Sequence, residues 1–579
     1  MTPASLRSTQ PTKPDNRFHR TSAKEAALLM VMAAGVGLVS ALPAVALNLS
    51  VHGATQALAP WHGHWTMILL PAAGAALSAW YIRGWLKDDL GHGVPEMIRS
   101  ASLGGGRLPL SMVWSRLLAS FLTVGSGGSS GLEGPIATSG GAIGSSAGRM
   151  MSVNERRRVH LMGYGVAGAV AAIFNAPLTG MVFALEVILR EWNALTILPT
   201  IVAAVTATQV SRLVMGNQIA FQHEQFHFAT ADLVACVLLG AAAGGLSVLL
   251  ARGLSTGEFL FKRLRWPAWA TAGFGGLLVG LIGWVQPAVL HDGYEAIKTL
   301  MTGGEGFTPA ILAAFIVLKF ISVVFTLGSG GAGGVFAPSL VLGSTLGFGF
   351  GRLAQTVLPG MFLASESAFA LVGMAGMVAG VMHGPLTGMF LVLETTGGYH
   401  MILPVMITTV TAMLVSYFFE EGSVYTRELI RRGHLASKGS DQHLLQTMEL
   451  KELMDQKQEV LHEGMLLGEF VDVFKRAKRN IFPVVDKKNH HWLGVVYLDD
   501  IRPYLFDRSL YPIMTMGEVM HTNLPVIDVA QSLRQAVAQF ESSGAWSLPV
   551  VEDGIFIGMM SKSNLFDRYR QELIVHTTG

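Results

Sequence analysis

Between residues 26 and 419 the apolar positions gather in long blocks. No Asp, Glu, Lys or Arg interrupts residues 161–185, 193–211, 233–251, 320–351 or 397–419. Each stretch reaches or nearly reaches the roughly 20 residues that carry a helix across a bilayer. Several are broken internally by Gly and Pro, which membrane-depth helices tolerate only where protein or a water-filled cavity satisfies the freed backbone groups. The pattern therefore predicts broken helices around a permeation path. Residues 1–25 are polar and carry Arg7, Lys13, Arg17, Arg20 and Lys24 ahead of the apolar run that starts at Ala26. That run is longer than the apolar core of a secretory signal and many more follow, so it reads as an uncleaved first span with a cytoplasmic N-terminus. At Glu420 and Glu421 the pattern changes to short apolar runs among charges, which reads as soluble α/β structure.

Composition narrows this picture. Residues of hydrophobic type make up 51% of the chain and charged ones only 14%, against about 25% charged in a soluble domain. A polytopic membrane protein fits; a disordered chain, a disulfide scaffold and a nucleic-acid binder do not. The net charge of +2 calls for no strongly basic partner surface, and the single Cys236 cannot form an internal disulfide. Glycine is in excess, 67 of 579 residues, with no collagen period or flexible linker to absorb it.

Two internal repeats stand out. Residues 125–135 read GSGGSSGLEGP and residues 328–338 read GSGGAGGVFAP, an offset of 203. The string PLTGM at 177–181 leads to Glu186, and at 385–389 it leads to Glu394, an offset of 208. The membrane region is thus built from two homologous halves, a construction that places ion sites between the repeats. In the tail, Phe482-Pro-Val-Val-Asp with Gly494-Val-Val matches Leu548-Pro-Val-Val with Gly558-Met-Met, at offsets of 66 and 64.

The glycine loops suit an anion. The string Gly328-Ser-Gly-Gly-Ala-Gly333 satisfies a dinucleotide pattern but lies in an uncharged apolar segment with no βαβ context. Glycines instead let the main chain approach an ion, proline suits a helix start, and a helix N-terminus offers free N–H groups and partial positive charge. Glu133 sits inside the first loop. Either it takes the place of a bound anion and leaves when protonated, or it is a cap that satisfies N–H groups. Residues 91–96, GHGVPE, suggest a third helix start aimed at the same ion.

With these motifs the sequence resembles the CLC family of chloride channels and proton/chloride exchangers. The family's three ordered signatures appear as Gly91-His92-Gly93-Val94-Pro95-Glu96, Gly131-Leu132-Glu133-Gly134-Pro135 and Gly333-Gly334-Val335-Phe336-Ala337-Pro338. The resemblance implies an all-α polytopic membrane domain of two inverted repeats with broken helices, then a cytoplasmic α/β tandem CBS module. It implies a homodimer in the lipid bilayer, each subunit with its own anion path, carrying chloride in exchange for protons, with no enzymatic activity and no metal. Both termini would be cytoplasmic, in a bacterial inner membrane. Glu133 takes the place of the gating, proton-carrying glutamate. His92, Gly93, Gly131, Gly134, Val335, Phe336 and Tyr425 match the anion-lining positions, though Tyr425 also reads as an aromatic anchor at the membrane boundary.

Two departures keep alternatives open. His92 replaces the usual serine, so fluoride or nitrate stands beside chloride as substrate. Val187 replaces the internal proton glutamate, so a passive voltage- or pH-gated channel of the same fold stands beside the exchanger. Glu186 is adjacent, but consecutive helical side chains do not share a face; it also reads as a structural carboxylate. Lys319 either raises the local potential for anions or snorkels to an interface. The expected boundaries are 1–25 for an N-terminal tail, 26–419 for the membrane domain, 420–444 for the last helix and linker, and 445–509 and 510–579 for the two CBS units. Such pairs often hold an adenine nucleotide through a Ser or Thr and an Asp. Tyr497 and Asp500 occupy those places in the first unit and Ser561 and Asn564 in the second, leaving Asp500 and Ser561 as candidate contacts. A purely structural role that clamps the dimer is the alternative.

Overall fold

The computed structural model describes residues 16–61, 64–87, 93–103, 105–217, 221, 228–302, 306–361, 364–431, 450–455, 458–477 and 479–567. The chain divides into two units, Met1–Leu435 and Ala436–Gly579.

The first half of the first unit runs α1 (Asn16–Leu58), α2 (Leu69–Ala79), α3 (Val94–Ser102), α4 (Met112–Gly125), α5 (Glu133–Met150), α6 (Glu155–Phe174), α7 (Pro177–Phe183) and α8 (Ala194–Met215). The second half repeats the series as α9 (Thr230–Arg263), α10 (Ala268–Val285), α11 (Tyr294–Met301), α12 (Pro309–Gly328), α13 (Phe336–Val357), α14 (Glu366–Met382), α15 (Pro385–Thr396) and α16 (Ile402–Phe419). A short α17 (Arg427–Arg431) follows. Among the described residues, seven spans are long and apolar enough to cross a membrane; the protein is an integral, multi-pass membrane protein. Within the described residues α1 already runs through 16–25, the polar lead ahead of the apolar run. The polar lead contains Arg, Lys, Ala and Glu, good helix formers, so the helix propagates beyond its apolar part.

The halves agree at single residues. α6 ends on Asn175 and α14 on His383, both left-handed, with φ of 55° and 52°. The next residues, Ala176 and Gly384, share an extended geometry near φ −130° before the two PLTGM helices. Past α7 the chain turns through one π-helical stretch, Ala184–Leu189. The Glu186 carboxylate accepts the backbone N–H groups of Leu386 (3.2 Å) and Thr387 (2.8 Å) and the Thr387 hydroxyl (2.7 Å). Glu394 does the same for Leu178 (2.9 Å), Thr179 (2.7 Å) and the Thr179 hydroxyl (2.7 Å). Each half thus caps the other's helix start.

Much of the glycine excess serves close packing of helices. A Cβ at Gly140 or Gly144 of α5 would collide with the carbonyls of Gly165 and Leu161 in α6. In the second half, Gly343 and Gly347 of α13 meet the carbonyls of Gly373 and Phe369 in α14 in the same way. Small residues at four-residue spacing let backbones approach without any side chain between them, as in membrane helix pairs generally.

The second unit holds two sheets. One has the order β2 (Leu461–His462), β3 (Ile481–Val485), β4 (Trp492–Tyr497); the other has β1 (Met454–Asp455), β7 (Ile555–Ser561), β6 (Ser547–Glu552), β5 (Ile527–Asp528). The tail repeat reappears in them: β2 lies parallel to β3 and β5 to β6, while β3–β4 and β6–β7 are antiparallel. Register shifts fall at Val484/Val485 and at Val550/Val551, the same place in each copy. β1 falls within residues 445–509, expected for the first unit, yet pairs with β7 of the second.

Candidate functional site

The two glycine loops meet. Gly131 donates to the Gly334 carbonyl and Gly334 to the Gly131 carbonyl, both at 2.8 Å. The Ser129 N–H donates to Thr326 Oγ1 at 3.0 Å, and the Ala332 N–H to Thr123 Oγ1 at 3.1 Å. Gly127 and Gly330 turn the loops with φ of 111° and 105°. The Gly134 and Gly334 backbones touch, since a Cβ on Gly334 would lie 3.0 Å from the Gly134 nitrogen. The loops thereby spend their hydrogen bonds on each other and bring the starts of α5 and α13 to one place.

Those two starts lack side-chain caps. Leu132 and Val335 occupy the N-cap positions and have no acceptor to offer. Asn154 caps α6, Asn193 α8, Thr308 α12 and Ser365 α14, while α2, α3, α4, α10, α11 and α16 also begin without a side-chain cap; what sets the starts of α5 and α13 apart is that they meet. Two positive helix poles are thus left unsatisfied where the halves join, a configuration that attracts an anion. Glu133 fills it. The residue is 3% exposed, its Oε1 accepts the Tyr294 hydroxyl at 2.6 Å, and its Oε2 is buried with no regular hydrogen bond. The backbone N–H groups of Glu133 and of Ala337, in the first turn of α13, face the carboxylate.

The other sequence candidates fall around this point. Val335 and Phe336 are buried, and the Phe336 ring packs on Phe174 and Phe183 with centroids 5.1 and 6.2 Å away. Gly93 begins α3 at φ 42°, and a Cβ there would run into Thr138 of α5, so a third helix start packs against the second turn of α5. His92 lies outside the described residues. Tyr425 is buried in the main core, 5% exposed, and within electrostatic reach of Glu133; it is not an aromatic anchor at the lipid boundary. Lys319 does not snorkel: it is fully buried, and its Nζ donates to the carbonyls of Val289 (2.9 Å) and His291 (3.2 Å). Val187 is buried in the π-helical stretch, and the carboxylate of neighbouring Glu186 is occupied in capping α15.

Sequence reading missed Tyr294. The sequence offers only a glycine at this place: Gly293 precedes α11 as Gly93 precedes α3, 200 residues earlier, and the structure gives both a positive φ. Without a shared Pro or a longer common string, the repeat at this pair was not legible.

In the second unit a cleft of about 370 Å³ is lined by Asp455, Arg479, Trp546, Ser561 and Asn564, among others. Ser561 and Asn564 therefore lie together, with the Ser561 hydroxyl accepting the Asn564 N–H at 3.1 Å. Asp500 is not among the residues lining it; its carboxylate pairs with His521 Nε2 at 2.8 Å, and the His521 ring packs on Tyr497. Of the two candidate contacts, Ser561 lines the cleft and Asp500 does not.

Comparison with known proteins agrees with this architecture. Residues 74–417 match the family model for the voltage gated chloride channel, and residues 516–570 match the CBS domain. The H(+)/Cl(-) exchange transporter ClcA of Vibrio cholerae is 31% identical over 381 residues, covering 63% of this chain and 79% of the relative. A slow cyanobacterial Cl-/H+ antiporter aligns with a TM-score of 0.63 at 24% identity, over 70% of this chain and 98% of its own. A eukaryotic CLC transporter aligns with a TM-score of 0.61 at 20% identity, over 93% and 97%. With more than half its length under the family model and its two glycine loops joined at paired helix starts, this chain belongs to the voltage gated chloride channel family and carries a CBS domain behind its membrane unit.

Proposed function

We propose that the protein carries chloride across the membrane in exchange for protons, with Glu133 as the gate and proton carrier. One observation carries the reading: two uncapped helix N-termini converge on a single buried carboxylate. An anion entering that place must displace the carboxylate, and a protonated Glu133 has little reason to stay at two positive poles, so anion entry and proton uptake are linked at one residue. Gly131, Gly134, Val335 and Phe336 would line the path with main-chain groups, and Gly93, His92 and Tyr425 would complete it. The relative named as an exchange transporter supports the same reading. The protein would act as a homodimer with both termini cytoplasmic, its two halves inverted relative to one another, in a bacterial inner membrane.

A passive channel is the second reading, favoured by one observation: Val187 carries no proton and the Glu186 oxygens are taken. Liposomes in which chloride and proton fluxes are recorded together separate the two. Proton uptake driven by chloride efflux, abolished in Glu133→Gln, supports exchange. Chloride efflux with no proton movement refutes it and favours the channel; absence of flux for chloride, fluoride and nitrate alike refutes both.

For the second unit we propose an adenine nucleotide in the cleft at Ser561 and Asn564. The open volume and the indole of Trp546 support this, and no other cofactor is proposed.

A further inference from the structure

Behind the gate lies a polar cluster that the ion path does not use. The chain between Val289 and Gly293 doubles back around the Lys319 ammonium, which binds two of its carbonyls. His291 and Gly293 take positive φ of 55° and 85° to make the turn. The His291 ring is anchored as well, with Nδ1 2.7 Å from the Val124 carbonyl at the end of α4. Asp292 lies within electrostatic reach of Lys319 and of Glu133, and its carboxylate accepts the Tyr294 N–H at 3.3 Å. The loop is held from α4 and from α12, and it aims one group. The Tyr294 hydroxyl, on the first residue of α11, donates to Glu133 Oε1 at 2.6 Å.

We propose that Tyr294 is a positioning residue for the gate: its hydroxyl latches the Glu133 carboxylate at the paired helix starts, and Lys319 and His291 aim it. The proposal rests on the reading of Glu133 as the gate. A hydrogen bond from a hydroxyl to an ionised carboxylate is stronger than one to a neutral acceptor, so the latch favours the seated, charged state over the withdrawn one. The groups facing Glu133 are Tyr294 and Asp292 from the α11 side, Tyr425 from beyond α16, and the amides at the start of α13; Lys319 acts through Asp292 and the loop. Burying a lysine is costly unless its donors are satisfied, and the loop takes two of the three.

The test is calorimetric titration of the purified full-length protein with chloride at fixed pH, as wild type, Tyr294→Phe, Glu133→Ala and the double variant. Losing one hydrogen bond to a charged acceptor frees the carboxylate to withdraw, so Tyr294→Phe binds chloride about 10-fold more tightly. In the Glu133→Ala background, with no carboxylate to hold, the same substitution brings no tightening. In liposomes the half-maximal chloride flux of Tyr294→Phe moves to higher pH by about one unit, because the carboxylate has lost a donor that favoured its charged form. A second variant guards against misfolding: a difluorotyrosine at position 294, nearly isosteric and a stronger donor, shifts chloride affinity in the opposite direction. Unchanged affinity and pH profile in Tyr294→Phe, while Glu133→Ala still removes the pH dependence, overturns the latch and leaves the gate standing. Equal tightening with and without Glu133 also overturns the latch. A Glu133→Ala protein that keeps the wild-type pH dependence overturns the gate itself.

Discussion

Substitution of Glu186 separates a structural carboxylate from a proton carrier. Its oxygens accept three donors at the start of α15, at 3.2, 2.8 and 2.7 Å. Glu186→Ala strands all three; at about 1 kcal/mol each, the low end for a stranded donor, the loss is about 3 kcal/mol. Unfolding entropy of about 2.1 cal/mol/K per residue, applied to a unit spanning Met1–Leu435, converts this to a fall in Tm of about 3 °C. Glu186→Gln keeps one acceptor oxygen and falls by about half as much. Thermal unfolding of detergent-purified protein, followed by loss of the monodisperse peak, gives the stability; paired flux recordings in liposomes give the coupling. The expected result is lower Tm in both variants with an unchanged ratio of protons to chloride. A Glu186→Gln protein with wild-type Tm and no proton coupling would show that the carboxylate works as a relay, and the capping argument would fail.

Other outcomes follow from the same geometry. Glu394→Gln lowers Tm to the same degree as Glu186→Gln, since it caps α7 with three bonds of like length. Gly347→Ala in α13 forces apart a helix pair whose backbones touch, costing about 1–3 kcal/mol by overpacking; its repeat partner Gly144→Ala does likewise, and recovery of folded protein with wild-type Tm would count against the crossing. Val335→Asp sets a fixed negative charge at the second uncapped pole and weakens chloride binding at least about tenfold by repulsion at a helix start; calorimetry with wild-type affinity refutes the pole as an anion contact. ATP, ADP and AMP titrated against the full-length protein quench the fluorescence of Trp546, which lines the cleft; a quench that survives in Trp546→Phe places the binding elsewhere.

The membrane unit, its two halves and the anion chemistry were legible because they rest on local signals. Apolar blocks of bilayer length, two strings recurring at offsets of 203 and 208, and glycines before a proline each announce themselves within a few residues. The tail repeat was legible for the same reason, and its two sheets carry register shifts at equivalent residues. The residues that are close only across the fold were hidden. Tyr294 stands 161 residues from the carboxylate it binds, and α11 shares only a glycine start with its repeat mate α3. Lys319 has a buried position that its apolar neighbours alone do not distinguish from a snorkelling one.

Sequence by itself therefore determined that the chain lies in a membrane, that it is two copies of one design, and that its glycine loops suit an anion. Tertiary structure decided what each polar group in that apolar surround is for. A buried donor or acceptor must find a partner, and for Glu186, Lys319, Asp500 and Glu133 the partner lies on a segment distant in sequence, whose approach depends on how helices and sheets pack. The glycine excess shows the division: its loops were readable as an ion site, whereas the glycines of α5, α6, α13 and α14 gained meaning only once two backbones were seen to meet.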